Sequence, residues 1–372
     1  MVHTGTANLP LHDGKAPRWL FKRMVGLARG IINVIIQEYG REELLRRLSD
    51  PFWFQAFSCA LGFDWHSSGT TTVTCGALAE AIKPMDHGLA ITGGKGRASR
   101  RTPDQIEEIG KLFNLSSSKI ESLKYASRLS AKIDNAAIQD GYKLYHHSFI
   151  FSEDGDWCVI QQGLNEENLY ARRYHWLSSN FESFTCEPHS SIVGEREQRP
   201  VLDMTSKNSI ETQRTCVELV NGNPKHLYRD WLSLIRLKGQ QTLEVFSTKI
   251  SGRVISLDMP RSINWSKIRE VYEFQPRNYE EFLSIKGVGP STVRALALIS
   301  DLIYGDPPSW EDPVKYSFTV GGKDGVPYPV DRRAMDEAID ILEQSIQEAK
   351  IGEVDKIKAL RRLRYIIPPT IK

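Results

Sequence analysis

Two β-rich runs in an otherwise helical chain limit its fold most. "YKLYHHSFIF" (142–151) and "DWCVIQQG" (156–163) are rich in aromatic and β-branched residues, and "SEDG" separates them. That combination predicts a β-hairpin. The apolar spacing on either side is helical: "RWLFKRMVGLARGIINVIIQEYGREELLRRL" (18–48), with a stop near Gly40, and "DPFWFQAFSCALGF" (50–63). "DWHSSGTTTVTCGALAEAI" begins as a polar loop and turns helical after Thr71. "TGGKGRASRR" reads as a glycine-rich basic loop, and Thr102-Pro103-Asp104 opens the next helix with proline in its first turn. From about residue 206 the pattern stays helical through "VDKIKALRRLRYII".

The expected fold class is α+β: a mixed α/β N-terminal domain carrying the hairpin, then a helical domain. Residues 187–203, "EPHSSIVGEREQRPVLD", lose periodicity and read as a linker. The expected division is therefore 1–186, a linker at 187–203, and 204–372.

With 372 residues, 40% hydrophobic and 25% charged, the chain has apolar content enough for a core without staples. Its net charge of +2 gives no basic signature over the whole length, so contact with nucleic acid has to come from local patches. The five cysteines form no CxxC pair, which favours a reducing compartment over a disulfide framework. The first residues lack the continuous apolar stretch of a signal peptide, and no run approaches the roughly 18 apolar residues of a membrane span. A cytoplasmic protein without membrane contact is the expectation.

In "LSIKGVGPSTVRALALI" (283–299), a helix end meets Gly287-Val288-Gly289-Pro290 and a second helix starts at once. Gly287 and Gly289 allow a turn where a Cβ would clash. The turn's amides and the next helix N-terminus then face outward, where a phosphate can sit. Lys286 and Arg294 are placed to add charge, and Ser291 lies at the same edge. Such contacts hold DNA without reading its sequence. The plain alternative is an ordinary glycine-linked helix pair.

The stretch resembles the hairpin of the DNA glycosylase superfamily named for helix-hairpin-helix, a Gly/Pro-rich loop and an aspartate. The resemblance implies DNA binding by Lys286, Gly287, Val288, Gly289, Ser291 and Arg294, and it puts Asp331 of "GGKDGVPYPVDRRAMDEAI" at the catalytic position. A longer insert separates hairpin from aspartate than in that superfamily. Ser291 stands where lyase-type members carry a nucleophilic lysine, which argues against Schiff-base chemistry. Asp331 also suits the N-cap of the helix that follows.

Over its whole length the chain is similar to domain-of-unknown-function family 763 of archaea and bacteria. The stretches that carry the likeness are "TANLPLHDGKAPRWL", "LSDPFWFQAF", "GFDWHSSGTTT", "RLSAKIDNAAIQDGYKLYHH", "QQGLNEENLYARRYHWLS" and "GGKDGVPYPVDR". A role in DNA repair and nuclease activity are what such a family implies.

The densest polar cluster, "DNAAIQDGYKLYHHSFIFSEDGDWCVIQQGLNEEN", gathers Asp134, Asp140, His146, His147, Gln161, Glu166 and Glu167. Carboxylates and imidazoles together bind divalent metals, which polarise phosphoryl oxygens or activate water. Asp134, Asp140 and Glu166 are the candidate ligands for Mg²⁺ or Mn²⁺. Asp140, His146, His147 and Gln161 are the candidate catalytic residues, with Asp331 for glycosylase chemistry. His146 and His147 face opposite sides of any strand. The alternative is a solvated hairpin with polar ends. Gly163 stands where a restriction-enzyme-like core needs lysine, so that motif is broken.

Asp64, His66, Ser67 and Ser68 form a polar loop without a nucleophile elbow. Lys95, Arg97, Arg100 and Arg101 could cradle phosphate, although the Walker A spacing is absent. Arg172 and Arg173 of "ARRYHWLS" interleave with aromatics in the manner of single-strand binders, and an amphipathic helix start fits the same letters.

The expected function is a metal-dependent DNA endonuclease. A monofunctional glycosylase using Asp331 and a non-enzymatic DNA-binding protein are its rivals. DNA is the expected partner, and homo-oligomerisation is left open.

Overall fold

A strand whose two faces are both buried needs a layer on each side, and Lys143–Ser152 is such a strand. His146, Ser148 and Ile150 point to one face, His147, Phe149 and Phe151 to the other, and all six are buried. The computed structural model describes residues 9–10, 17–63, 68–180, 182–194, 200–239, 249–250, 253–254, 258–314 and 332–366.

The main sheet is antiparallel, with strand order β1-β6-β5-β4-β2 and β7 paired to β6. These strands are β1 (Leu9–Pro10), β2 (Leu89–Lys95), β4 (Lys143–Ser152), β5 (Trp157–Leu164), β6 (Tyr170–Leu177) and β7 (Ser191–Val193). The β4–β5 hairpin closes over "SEDG". The Ser152 hydroxyl accepts from the Asp154 and Asp156 amides, and Gly155 takes φ +87. A separate short pair joins β3 (Ile138–Gln139) to β8 (Leu202–Asp203). Lys249–Ile250 and Arg253–Val254, β9 and β10, form another.

Four strands depart from the sequence reading. Leu89–Lys95, whose second half was expected as the start of a glycine-rich loop, is an edge strand. Gly93 lies at φ +89, where a Cβ would strike the His147 carbonyl oxygen, so only glycine lets the two strands close there. Tyr170–Leu177 is an internal strand, not a helix start. The stretch 187–203 contains β7 and β8, both buried.

One face of the sheet is covered by α1 (Arg18–Tyr39), α2 (Arg41–Ser49), α3 (Pro51–Leu61) and α4 (Ser68–Ala81). Gly40, at φ +88, separates the first two helices. Asp50 caps α3 by accepting from the Phe52 and Trp53 amides, with Pro51 in the first turn. A single-turn helix, α5 (Pro84–His87), leads into β2. The opposite face carries α6 (Thr102–Leu112), α7 (Ser117–Lys132), α8 (Ile210–Asn221), α9 (Pro224–Gly239), α10 (Trp265–Phe274), α11 (Tyr279–Ser284) and α12 (Pro290–Ile299). The last helices, α13 (Arg332–Glu348) and α14 (Glu353–Ile366), return to the first layer. There Leu342, Ile346, Ala359 and Leu363 join the core under α1 and α3. Each layer therefore draws on residues from both sides of 187–203. None of the helices among the described residues is long and apolar enough to cross a membrane.

Candidate functional site

On the face toward α7, three residues distant in sequence converge. Asp134 sits in a widened turn, Ile133–Ala137, that continues α7; turns of this kind recur at functional sites. Gln161 Nε2 donates to Asp134 Oδ2 at 2.6 Å, and Trp176 Nε1 donates to the same oxygen at 3.0 Å. His189 Nε2 meets Asp134 Oδ1 at 2.5 Å. Gln161 Oε1 can only accept, so the His147 Nδ1–H donates to it at 2.9 Å. That tautomer leaves Nε2 to accept from the Ser127 hydroxyl at 2.8 Å. Burial lowers the His147 pKa against the pull of Gln161 and Asp134, which keeps the ring neutral. The result is a directed chain from Ser127 through His147 and Gln161 to Asp134, closed to solvent.

Asp140 belongs to a neighbouring buried ion pair. Its Oδ2 accepts from Tyr174 Oη at 2.6 Å and from Arg172 Nη1 at 2.9 Å, and its Oδ1 accepts from the Tyr142 amide at 3.0 Å. Burial raises the Asp140 carboxyl above its ordinary value, although Arg172, Tyr174 and the Tyr142 amide pull against it. Arg172 also forms a fork to Asp312, Nη1–Oδ1 3.0 Å and Nη2–Oδ2 2.8 Å. Burial alone would lower this guanidinium, but the Asp140 and Asp312 carboxylates carry it above its ordinary value. Glu166 lies elsewhere, exposed and paired with Lys143 at 3.3 Å. The three expected metal ligands are thus divided among two buried networks and the surface. Among the described residues, no group of three or more His, Cys, Asp or Glu side chains is arranged to hold a metal ion.

The other face carries His146, Gln162 and Arg173, cross-strand neighbours in one row that starts at Lys95 on β2. Gln162 Oε1 accepts from Thr71, and its Nε2 donates to the Ser68 carbonyl and to the Tyr145 hydroxyl. Arg172 and Arg173 are both 0% exposed, so the expected contact of either side chain with a DNA surface is corrected: a strand's alternation turns one into each face of the sheet. Lys95, Arg97, Arg100 and Arg101 do face solvent, and Lys95 lies over the Tyr145 ring at 5.7 Å.

The turn between α11 and α12 forms as the spacing implies, with one change. Gly287 has φ +95, but Gly289 is extended at φ −139, ψ −177, with open space where a Cβ would sit. Only Gly287 is required by backbone conformation. Val288 is buried in the core, whereas Lys286 and Ser291 are exposed. Arg294 is half-buried: its Nε donates to the Asp258 carbonyl at 2.9 Å and its guanidinium lies over Trp310 at 5.6 Å. Lys132, at the end of α7, donates its ammonium to the Val288 carbonyl and to that of Ile285 at 3.5 Å, fastening the turn to the sheet domain. A cleft of about 420 Å³ opens there, lined by Arg128, Lys132, Asn135, Leu144, Val288 and Gly289. Gly289, which lines the cleft, gives the N-terminus of α12 no side-chain cap, and Pro290 has no N–H, so the Ser291 and Thr292 amides are the ones the helix itself leaves unspent.

Over residues 5–330 the chain matches the family described as protein of unknown function (DUF763). It belongs to that family. No curated protein and no solved structure matches it.

Of the expected site residues, the fold joins Asp134, His147 and Gln161, keeps Asp140 beside them, and sends His146 to the opposite face. Asp331 and the loop residues Asp64, His66 and Ser67 lie outside the described residues. Sequence reasoning missed Ser127, His189 and Asp312, and read Tyr174 and Trp176 only as aromatics interleaved with Arg172 and Arg173; all five complete the networks. No local pattern marks Ser127, His189 or Asp312.

Proposed function

We propose that the protein binds DNA by its phosphate backbone, at the cleft between α7 and the turn before α12. The observation that carries this reading is an uncapped helix N-terminus at one opening lined by Arg128 and Asn135, with the exposed Lys286 in the same turn two residues before Val288. Helix N-termini and nearby cations are what phosphate oxygens seek. A second basic segment supports it. Lys95 pairs with His146 on β4, the strand whose Leu144 lines the cleft, and Arg97, Arg100 and Arg101 follow in the exposed turn after Lys95. Contacts of this kind position a duplex without reading its bases.

A second reading, metal-dependent cleavage of the bound strand, has in its favour the meeting of Asp134, His147 and Gln161. For Mg²⁺ or Mn²⁺ to engage Asp134, the donors from Gln161, Trp176 and His189 must first leave it.

Incubation with supercoiled plasmid in Mg²⁺, Mn²⁺ or EDTA, followed on gels, tests both. Retarded plasmid under every condition is the expected result. Metal-dependent nicking supports cleavage, and abasic sites without breaks support glycosylase chemistry instead. Absence of retardation contradicts DNA binding.

A further inference from the structure

Arg173 is fully buried with no counter-charge. Its Nε donates to His175 Nε2 at 2.8 Å, Nη1 reaches Thr71 Oγ1 only at 3.5 Å, and Nη2 has no hydrogen-bond partner. Among the described residues it forms no ion pair, whereas its neighbour Arg172 has two carboxylates. The Phe54 ring, 4.7 Å below the guanidinium, offsets part of the lost hydration. Burial pulls this guanidinium down to about 10. A buried cation without a partner is a strongly disfavoured arrangement.

The surroundings share one polarity. The row across the sheet reads Lys95, His146, Gln162, Arg173, with no acid among them. Thr71 and Tyr145 hydroxyls bracket Gln162. His146 Nδ1, two strands away from Arg173 along this row, also has no hydrogen-bond partner, whereas His175 accepts from Arg173 and reaches the Leu48 backbone. The Arg173 Nη2 and His146 Nδ1 atoms are the ones left without partners in this row, and a guanidinium edge is the donor geometry that a tetrahedral oxyanion accepts. Lys95, exposed at the outer end of the row, supplies charge at the approach.

We infer that this face of the sheet binds a phosphate-type oxyanion, with Arg173 as its principal partner. The anion is either free phosphate or the terminal phosphate of a nucleic-acid strand. It would complete a site separated by the thickness of the sheet from the Asp134 network.

Thermal unfolding of the full chain, with inorganic phosphate titrated against chloride of equal ionic strength, tests this. Wild type should gain Tm with phosphate beyond the chloride control. Arg173→Met should match or exceed wild type in phosphate-free buffer, because an unpaired buried charge has been removed, and should lose the phosphate response. If that variant does not fold, Thr71→Ala should still weaken phosphate at least several-fold. Competition by a 5′-phosphorylated oligonucleotide, but not its 5′-hydroxyl form, assigns the anion to a strand end; binding of inorganic phosphate alone assigns it to the free ion. A wild-type Tm that responds equally to phosphate and chloride overturns the proposal, as does an Arg173→Met or Thr71→Ala protein with undiminished phosphate affinity.

Discussion

Arg172 and Arg173 are adjacent in the chain and electrostatically opposite. The first is clamped between Asp140 at 2.9 Å and Asp312 at 2.8 Å, and the second lies on the other face without a carboxylate among the described residues. The alternation of a β-strand places successive side chains on different faces, and the layers packed there decide each charge's company.

The clamp ties β6 to the 309–314 segment, far along the chain. Asp312→Asn removes one charge of a fully buried pair and should destabilise the protein by about 3–5 kcal/mol. Urea denaturation followed by circular dichroism measures it. A loss under about 1 kcal/mol, the range of exposed pairs, would mean that the Arg172 clamp contributes little.

The two turn glycines should respond differently. At Gly287 the positive φ is costly for any residue with a Cβ, and that atom would meet Lys267 Cε at 2.6 Å. Gly287→Ala should therefore lose about 1–2 kcal/mol of stability. Gly289 has ordinary extended geometry and open space. Gly289→Ala should fold with near wild-type stability but crowd the amides of α12, weakening DNA binding several-fold. Equal affinity of Gly289→Ala and wild type in fluorescence anisotropy would remove those amides from the interface.

Acid should destabilise the fold through its buried imidazoles. Burial depresses His146 to about 3, and His147 is lowered by the same cause. Below an unfolded value of 6.5, the unfolded chain binds protons that the folded one refuses, so stability present above that pH falls as pH drops toward the folded value. Each such histidine contributes up to about 1.4 kcal/mol per pH unit in that window. His146→Asn should flatten the slope between about pH 6.5 and pH 5 by close to one proton. An unchanged slope would show that His146 is already protonated in the folded protein.

The hairpin and the flanking helices were legible because "SEDG" and the apolar spacing are local signals. The edge strand at Leu89–Lys95 was hidden by Gly93 and Gly94; Gly93 reflects a close approach to the His147 carbonyl that only the folded sheet contains. Strand β6 was hidden by its composition: Arg172, Arg173 and His175 look like surface residues until their buried partners are known. The same holds for the site. Asp134, His147 and Gln161 stand out as polar letters, but Ser127, His189 and Asp312 gain meaning only from contacts across layers.

Salt dependence of duplex affinity tests the backbone-binding account most directly. Each phosphate contact contributes roughly 0.9 to the slope of log K against log salt. The account predicts a clear negative slope for wild type. It also predicts that Lys286→Ala and Arg128→Ala each reduce the slope by about one unit and weaken all sequences alike. An affinity independent of salt, or variants that bind like wild type at every salt concentration, would contradict it.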